Sequence, residues 1–173
     1  RDLTFALVLG TMMLPVQVTF IFAYLLCSWL GYVDSLYGLI VPGLASAFGI
    51  FYMRQAVLSV PESLFDAGRI DGFSALELFW HVVRPSITPA IAALGIFTFM
   101  GSWNAFFWPL IVIDSGEYFT LPLAVQSLAS GEYVRSWSVQ MAAMTLITLP
   151  NIVVFLLFQR RFVEGLSLTG VKG

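Results

Sequence analysis

PSITPAIAALGIFTFMGSWNAFFWPLIVI, residues 85–113, runs for 29 residues without a charged side chain, and its reading decides the class of fold. A helix rises about 1.5 Å per residue and a hydrocarbon layer is about 30 Å thick, so roughly 20 mostly apolar residues suffice to cross it. Three further stretches meet the same condition: 3–33, 35–53 and 136–159. All 8 basic and 10 acidic residues fall outside these four. The predicted fold is therefore an all-α integral membrane protein in one domain over 1–173. Its four transmembrane helices are expected at about 3–30, 36–54, 86–113 and 136–159, with loops at 55–85 and 114–135 and a tail at 160–173.

Composition agrees. The chain is 59% hydrophobic and 10% charged, against about 25% charged in an average soluble domain, and 173 residues offer too little polar surface to bury four such helices in water. A formal net charge of -2 leaves no basic surface for nucleic acid. Cys27 is the single cysteine and His81 the single histidine, which excludes an internal disulfide and a zinc site of three or four ligands. His81 is expected at an interface or on the surface. The first stretch is no secretory signal: it is too long, contains Pro15 and Gln17, and lacks a basic start.

Lys and Arg set the orientation. Seven of the eight, namely Arg1, Arg54, Arg69, Arg84, Arg160, Arg161 and Lys172, lie on one side of the spans, and Arg135 alone on the other. Both ends of the chain and the 55–85 loop are thus expected in the cytoplasm of a bacterial-type inner membrane. Asp34, Asp114, Glu117 and Glu132 are expected outside. Each span carries a proline (Pro15, Pro42, Pro109, Pro150), tolerated as a kink where neighbouring helices satisfy the released carbonyl. Gly43 with Ala47, and Ala45 with Gly49, offer small faces for close helix approach.

The 55–85 loop carries structure. Ser59 followed by Glu62 reads as a capping box with Pro61 in the first turn, predicting a helix to about Ile70. Gly72 suits a left-handed turn, and Ser74 with Glu77 predicts a second capped helix. In that helix Leu76, Phe79, Trp80 and Val83 fall at i, i+3, i+4 and i+7 and form an apolar stripe. Two capped helices exceed what a connection needs; either a partner docks there or the loop lies on the membrane surface.

If this chain moves solute uphill, a partner subunit is expected to hydrolyse the nucleotide. None of the four uncharged stretches contains Asp, Glu, Lys, Arg or His, the usual groups of a proton relay, although sodium coupling through carbonyls and hydroxyls stays open. No phosphate-binding loop is present, because Lys172, the single lysine, is followed only by Gly173. No cofactor is expected, and ATP would be bound by a partner.

Asp66-Ala67-Gly68, Ile70-Asp71-Gly72, Pro85 and Pro89 resemble the Glu-Ala-Ala loop of binding-protein-dependent ABC importer permeases. Ile96 to Phe99, Trp103-Asn104, Pro109-Leu110 and the tail Gly165 to Gly173 resemble the carbohydrate-uptake group that includes the maltose-type permease. The resemblance covers essentially the whole chain. It implies a non-catalytic subunit that forms part of a sugar path with a second permease subunit, receives solute from an extracytoplasmic binding protein, and couples to ABC ATPase subunits. The coupling residues it implies are Glu62, Leu64, Phe65, Asp66, Ala67, Gly68, Ile70, Asp71 and Gly72. Gly68 stands where the pattern has alanine and is expected to loosen the helix by about 1 kcal/mol. The family has six spans, so this chain is expected to be the C-terminal part of that fold, as a fragment or a truncated product.

Polar groups within the spans are candidates for the solute path: Gln17, Asn104 and Asn151, with Trp103 as a stacking surface for a sugar. Inter-helix hydrogen bonding is the commoner use of such residues. Tyr118, Phe119 and Tyr133 could touch the binding protein. An ion-coupled secondary carrier and a structural membrane subunit are the alternative readings.

Overall fold

The computed structural model describes residues 2–130 and 137–167, with side chains over 3–129 and 137–159. Arg1, Glu132, Tyr133, Arg135 and residues 168–173 of the tail lie outside them. Every regular element among the described residues is helical. Two helices are long and apolar enough to cross a membrane, Leu36–Leu58 and Trp137–Gln159, and two bent pairs raise the number to four if each is one span.

The first expected span is two helices, α1 (Asp2–Met12) and α2 (Val16–Trp29), meeting at 101°. The cause is Pro15, which immediately precedes α2 at φ -58 and ψ 126 and cannot donate an amide hydrogen across the junction. The second runs as α3 (Leu36–Ile40), a 3-10 turn at Val41–Gly43 containing Pro42, and α4 (Ala47–Leu58), capped by Ser46. The third is α8 (Thr88–Trp103) followed by α9 (Phe107–Val112). Its break falls before Phe107, ahead of Pro109. Pro150 sits inside α11 (Trp137–Ser167), which stays helical through it and on into the expected tail.

Packing works from two small cores. At the Arg54 end, Tyr52 of α4 packs with Ala90 and Ala93 of α8, and its ring meets Phe97 edge-on at 6.4 Å. An added Cβ on Gly49 would lie 3.8 Å from Leu94 of α8, so Gly49 is at this seam, while Gly43 meets nothing within 4 Å. α1 joins the same end through Phe5, which stacks on Phe51 and lies 3.8 Å beneath the Arg54 guanidinium. At the other end Cys27, Val112, Ile113 and Leu123 of α10 (Leu121–Ser130) form the second core. Most of the remaining large apolar side chains point outward, such as Phe22 at 70% and Leu157 at 71% exposure. That inside-out distribution belongs to a protein whose outer solvent is hydrocarbon or neighbouring spans.

Asp34 closes the second end. Its Oδ1 accepts hydrogen bonds from the Asp114 amide (3.0 Å), the Ser115 amide (2.8 Å) and Ser115 Oγ (3.0 Å), and its own amide donates to the Val112 carbonyl at 2.8 Å. The Ser115 amide, foremost among these donors, holds the Asp34 carboxyl below its ordinary range. A lowered folded value means the clasp is fully formed at neutral pH, weakens as the pH drops past about 4, and is lost below the folded value. Asp34→Ala is expected to lower Tm at pH 7, and its gap to the wild type to narrow as the pH falls below about 4. Parallel curves in a thermal-melt series across that range would refute this.

Candidate functional site

The loop between α4 and α8 forms an elbow of two helical arms packed on each other. α5 (Glu62–Ile70) carries Glu62 in its first turn and Arg69 in its last, both favourable to the helix dipole. Arg69 also holds Asp66 at 2.9 Å, but both side chains are mostly exposed and the pair contributes little. The expected capping box at Ser59 does not form. Ser59 Oγ donates to the Ala56 carbonyl at 2.8 Å and finishes α4, so Pro61 precedes α5 with no side-chain cap. A hydroxyl at the end of one helix bonds backward when the next helix begins with proline so close behind.

The corner itself is as the residues require. Gly72 has φ 81; its amide donates to Arg69 and the Phe73 amide to the Gly68 carbonyl at 2.9 Å, the paired bonds that close a helix through a left-handed glycine. α6 (Ala75–Leu78) then starts with a complete capping box, Ser74 Oγ accepting from the Glu77 amide and Glu77 accepting from the Ser74 amide at 2.8 Å. The Ser74 hydroxyl, with its amide and the nearby His81, keeps the Glu77 carboxyl below its usual range. His81 lies on the surface, against Phe73 and within 3.0 Å of the Glu77 carbonyl through Nδ1.

Between α6 and α7 (Arg84–Ser86) the helix opens into a π turn over Phe79–Val83. The extra residue in that turn breaks the period on which the expected stripe rests. Val83 turns inward at 7% exposure, whereas Leu76, Phe79 and Trp80 stay outward at 68, 45 and 50%. Leu78 and Val82 make the seam to α5 instead. They do so across Gly68, which is buried: a Cβ there would lie 2.6 Å from Leu78 Cδ2, 3.2 Å from Phe73 Cδ2 and 3.5 Å from Val82 Cγ2. The glycine expected to loosen the helix is what lets the two arms of the elbow touch.

With Gly68 turned inward and Phe65 half-buried, the outward face of α5 holds Leu64, Asp66, Ala67 and Ile70, with Glu62, Asp71 and Gly72 also exposed. Ile70 is 85% exposed, an apolar side chain on a well-terminated helix.

Three of the four expected path residues meet at the seam of α8 and α11. Asn151 donates to Asn104 Oδ1 at 2.9 Å and Asn104 returns the bond at 3.4 Å, while also donating to the Met100 carbonyl at 2.7 Å. Trp103 Nε1 donates to the Ile147 carbonyl at 3.0 Å, and its ring stacks on Phe99. Gln17 stands apart, exposed on α2. Sequence reading missed Trp108, whose Nε1 reaches the Gly38 carbonyl at 3.0 Å and whose ring meets Phe20. It lines a cleft of about 420 Å³ with Thr19, Pro42, Ser102 and Thr120. A tryptophan inside an uncharged run carries no local sign of such a partner. No group of three or more metal-ligating side chains occurs among the described residues.

Described residues that are helical throughout, with apolar spans and a folded elbow between them, define a helical membrane protein. Residues 1–167 match the family described as binding-protein-dependent transport system inner membrane component, and the chain belongs to it as a multi-pass inner-membrane protein. Over all 173 residues it is 38% identical to the arabinooligosaccharides transport system permease protein AraQ of Bacillus subtilis (strain 168) and 34% identical to that of Halalkalibacterium halodurans. Over 167 residues, 96% of the chain, it is 38% identical to the sn-glycerol-3-phosphate transport system permease protein UgpE of Pectobacterium atrosepticum. It spans 61, 62 and 59% of these three relatives' lengths.

Proposed function

We propose that this chain is the permease subunit, or part of it, of an ATP-driven, binding-protein-dependent importer of a sugar or sugar derivative. The carrying observation is the elbow: α5 is terminated at a left-handed glycine and pressed onto the following helix across Gly68, leaving Ile70 and Ala67 outward. A helix so held transmits displacement to the spans where a slack loop would absorb it. Its outward face, with Glu62, Leu64, Asp66, Ala67, Ile70, Asp71 and Gly72, docks on ABC ATPase subunits at the cytoplasmic side, which bind and hydrolyse ATP. Phe65 and Gly68 fix the face from behind. A second permease subunit completes the path, and an extracytoplasmic binding protein delivers solute. The relatives' oligosaccharide and glycerol phosphate solutes support a hydroxyl-rich substrate. Within the path, Trp103, Asn104 and Asn151 hold the helices together and Gln17 offers its amide to solute.

Cross-linking checks this directly. Ile70→Cys in the assembled transporter should join an ATPase cysteine placed in the docking cleft, and the yield should change between nucleotide-free and ATP-bound states. Cys27 is 3% exposed and will not compete. A cysteine at 70 that reacts only with water-soluble reagents, alike in all states, overturns the docking, as does uptake sustained by an ion gradient without ATP.

A further inference from the structure

Among the described residues, an uncovered apolar face lies outside both the four uncharged stretches and the outward side of α5. It is the side of residues 75–86 formed by Leu76, Phe79 and Trp80, with the Arg84 guanidinium 5.0 Å over the Trp80 ring. We propose that this face is seated in the headgroup layer of the bilayer at the Arg54 end, with the Leu76, Phe79 and Trp80 side chains at the acyl boundary and Arg84 on lipid phosphate.

Position is the first argument. From Thr88 through Val112 the chain has 25 residues in α8, a short turn and α9, enough to cross without help from the preceding segment. That segment meets α8 at 69°. With α8 along the membrane normal, residues 75–86 lie about 20° from the membrane plane.

Sidedness is the second. Leu78 faces α5 across Gly68, and Leu76 and Trp80 each stand two residues from it, about 200° around a helix. They therefore point away from the arm proposed to hold the ATPase. The π turn makes the division possible: it sends Val83 inward with Val82, so one short segment grips α5 on one side and presents a separate apolar face on the other.

Chemistry is the third. Tryptophan and phenylalanine beside an arginine match an interfacial layer, where an aromatic body sits at the acyl boundary and a cation reaches phosphate. Glu77, the acidic residue within this segment, is folded back onto Ser74 in the capping box, so it does not place an anion against that layer. A soluble partner would need a matching apolar surface at the bilayer's edge, whereas the bilayer is already continuous with α8.

The test uses the assembled transporter in lipid nanodiscs with phospholipid brominated near the headgroup. The chain has five tryptophans, so the signal read is the fluorescence difference between wild type and Trp80→Phe. Brominated lipid is expected to remove most of that difference, with and without nucleotide. A difference untouched by bromine but quenched by aqueous iodide overturns the proposal, as does one shielded from both by an ATPase subunit. Leu76→Cys carrying a nitroxide gives an independent reading: faster relaxation with oxygen than with a water-soluble nickel chelate supports lipid seating, and the reverse order refutes it.

Discussion

Gly68→Val is expected to cut solute-stimulated ATP hydrolysis in the assembled importer sharply while leaving the chain in the membrane. The physical cause is local. A first carbon at 68 already lies 2.6 Å from Leu78 Cδ2, closer than van der Waals contact permits. Leu78 ends in a flexible side chain, so Gly68→Ala can be accommodated by rotating it. Valine adds two branches that also face Phe73 and Val82, and overpacking of this kind costs about 1–3 kcal/mol. The spans are untouched, so the strain is relieved by swinging α5 away from residues 75–86. A helix free to swing no longer moves the spans when the ATPase moves it. Stimulation is expected to fall about tenfold or more, the equivalent of 1.4 kcal/mol, with membrane abundance close to wild type. Gly68→Val combined with Leu78→Ala makes room and should restore part of the coupling. Wild-type stimulation in Gly68→Val alone would show that the elbow need not be rigid.

That case shows what a sequence discloses and what it withholds. The class of fold was legible because hydrocarbon imposes one condition, absence of charge over a length, and that condition is local in sequence. The corner at Gly72 and the capping box at Ser74 were legible for the same reason: each is satisfied within a few residues. Gly68 was not. Propensity assigns it a loss of helix stability, and its use appears only when Leu78 and Val82 arrive from the next helix. The stripe at Leu76, Phe79, Trp80 and Val83 failed because a period of 3.6 presumes an unbroken helix, and the π turn shifts Val83 off the face. The prolines divide likewise. Pro15 bends its span by 101°, whereas Pro150 is carried within α11, packed along α8, whose polar groups meet it one residue on at Asn151.

Those polar groups give the second large effect. Asn104→Leu is expected to destabilise the chain more than Asn151→Leu, in thermal melts followed in detergent. Asn104 anchors twice, to Asn151 and to the Met100 carbonyl, so its loss leaves both Asn151 amide groups without their partner. Removing Asn151 strands only the Asn104 oxygen, since the Asn104 amide nitrogen keeps its 2.7 Å bond to Met100. Hydrogen bonds between membrane helices contribute about 0.6–2 kcal/mol, which sets the range for each single change. The double replacement should cost less than the sum, because their shared bonds are lost once and no amide remains unpaired. Solute affinity discriminates the two uses of these residues. A seam role predicts lowered Tm with KM for uptake nearly unchanged; a solute contact predicts KM raised several-fold in Asn151→Leu at unchanged Tm, and that outcome would move Asn151 from the seam into the path. Gln17→Leu supplies the opposite signature. Exposed on α2 and remote from the seam, it should leave Tm alone and raise KM if its amide meets solute.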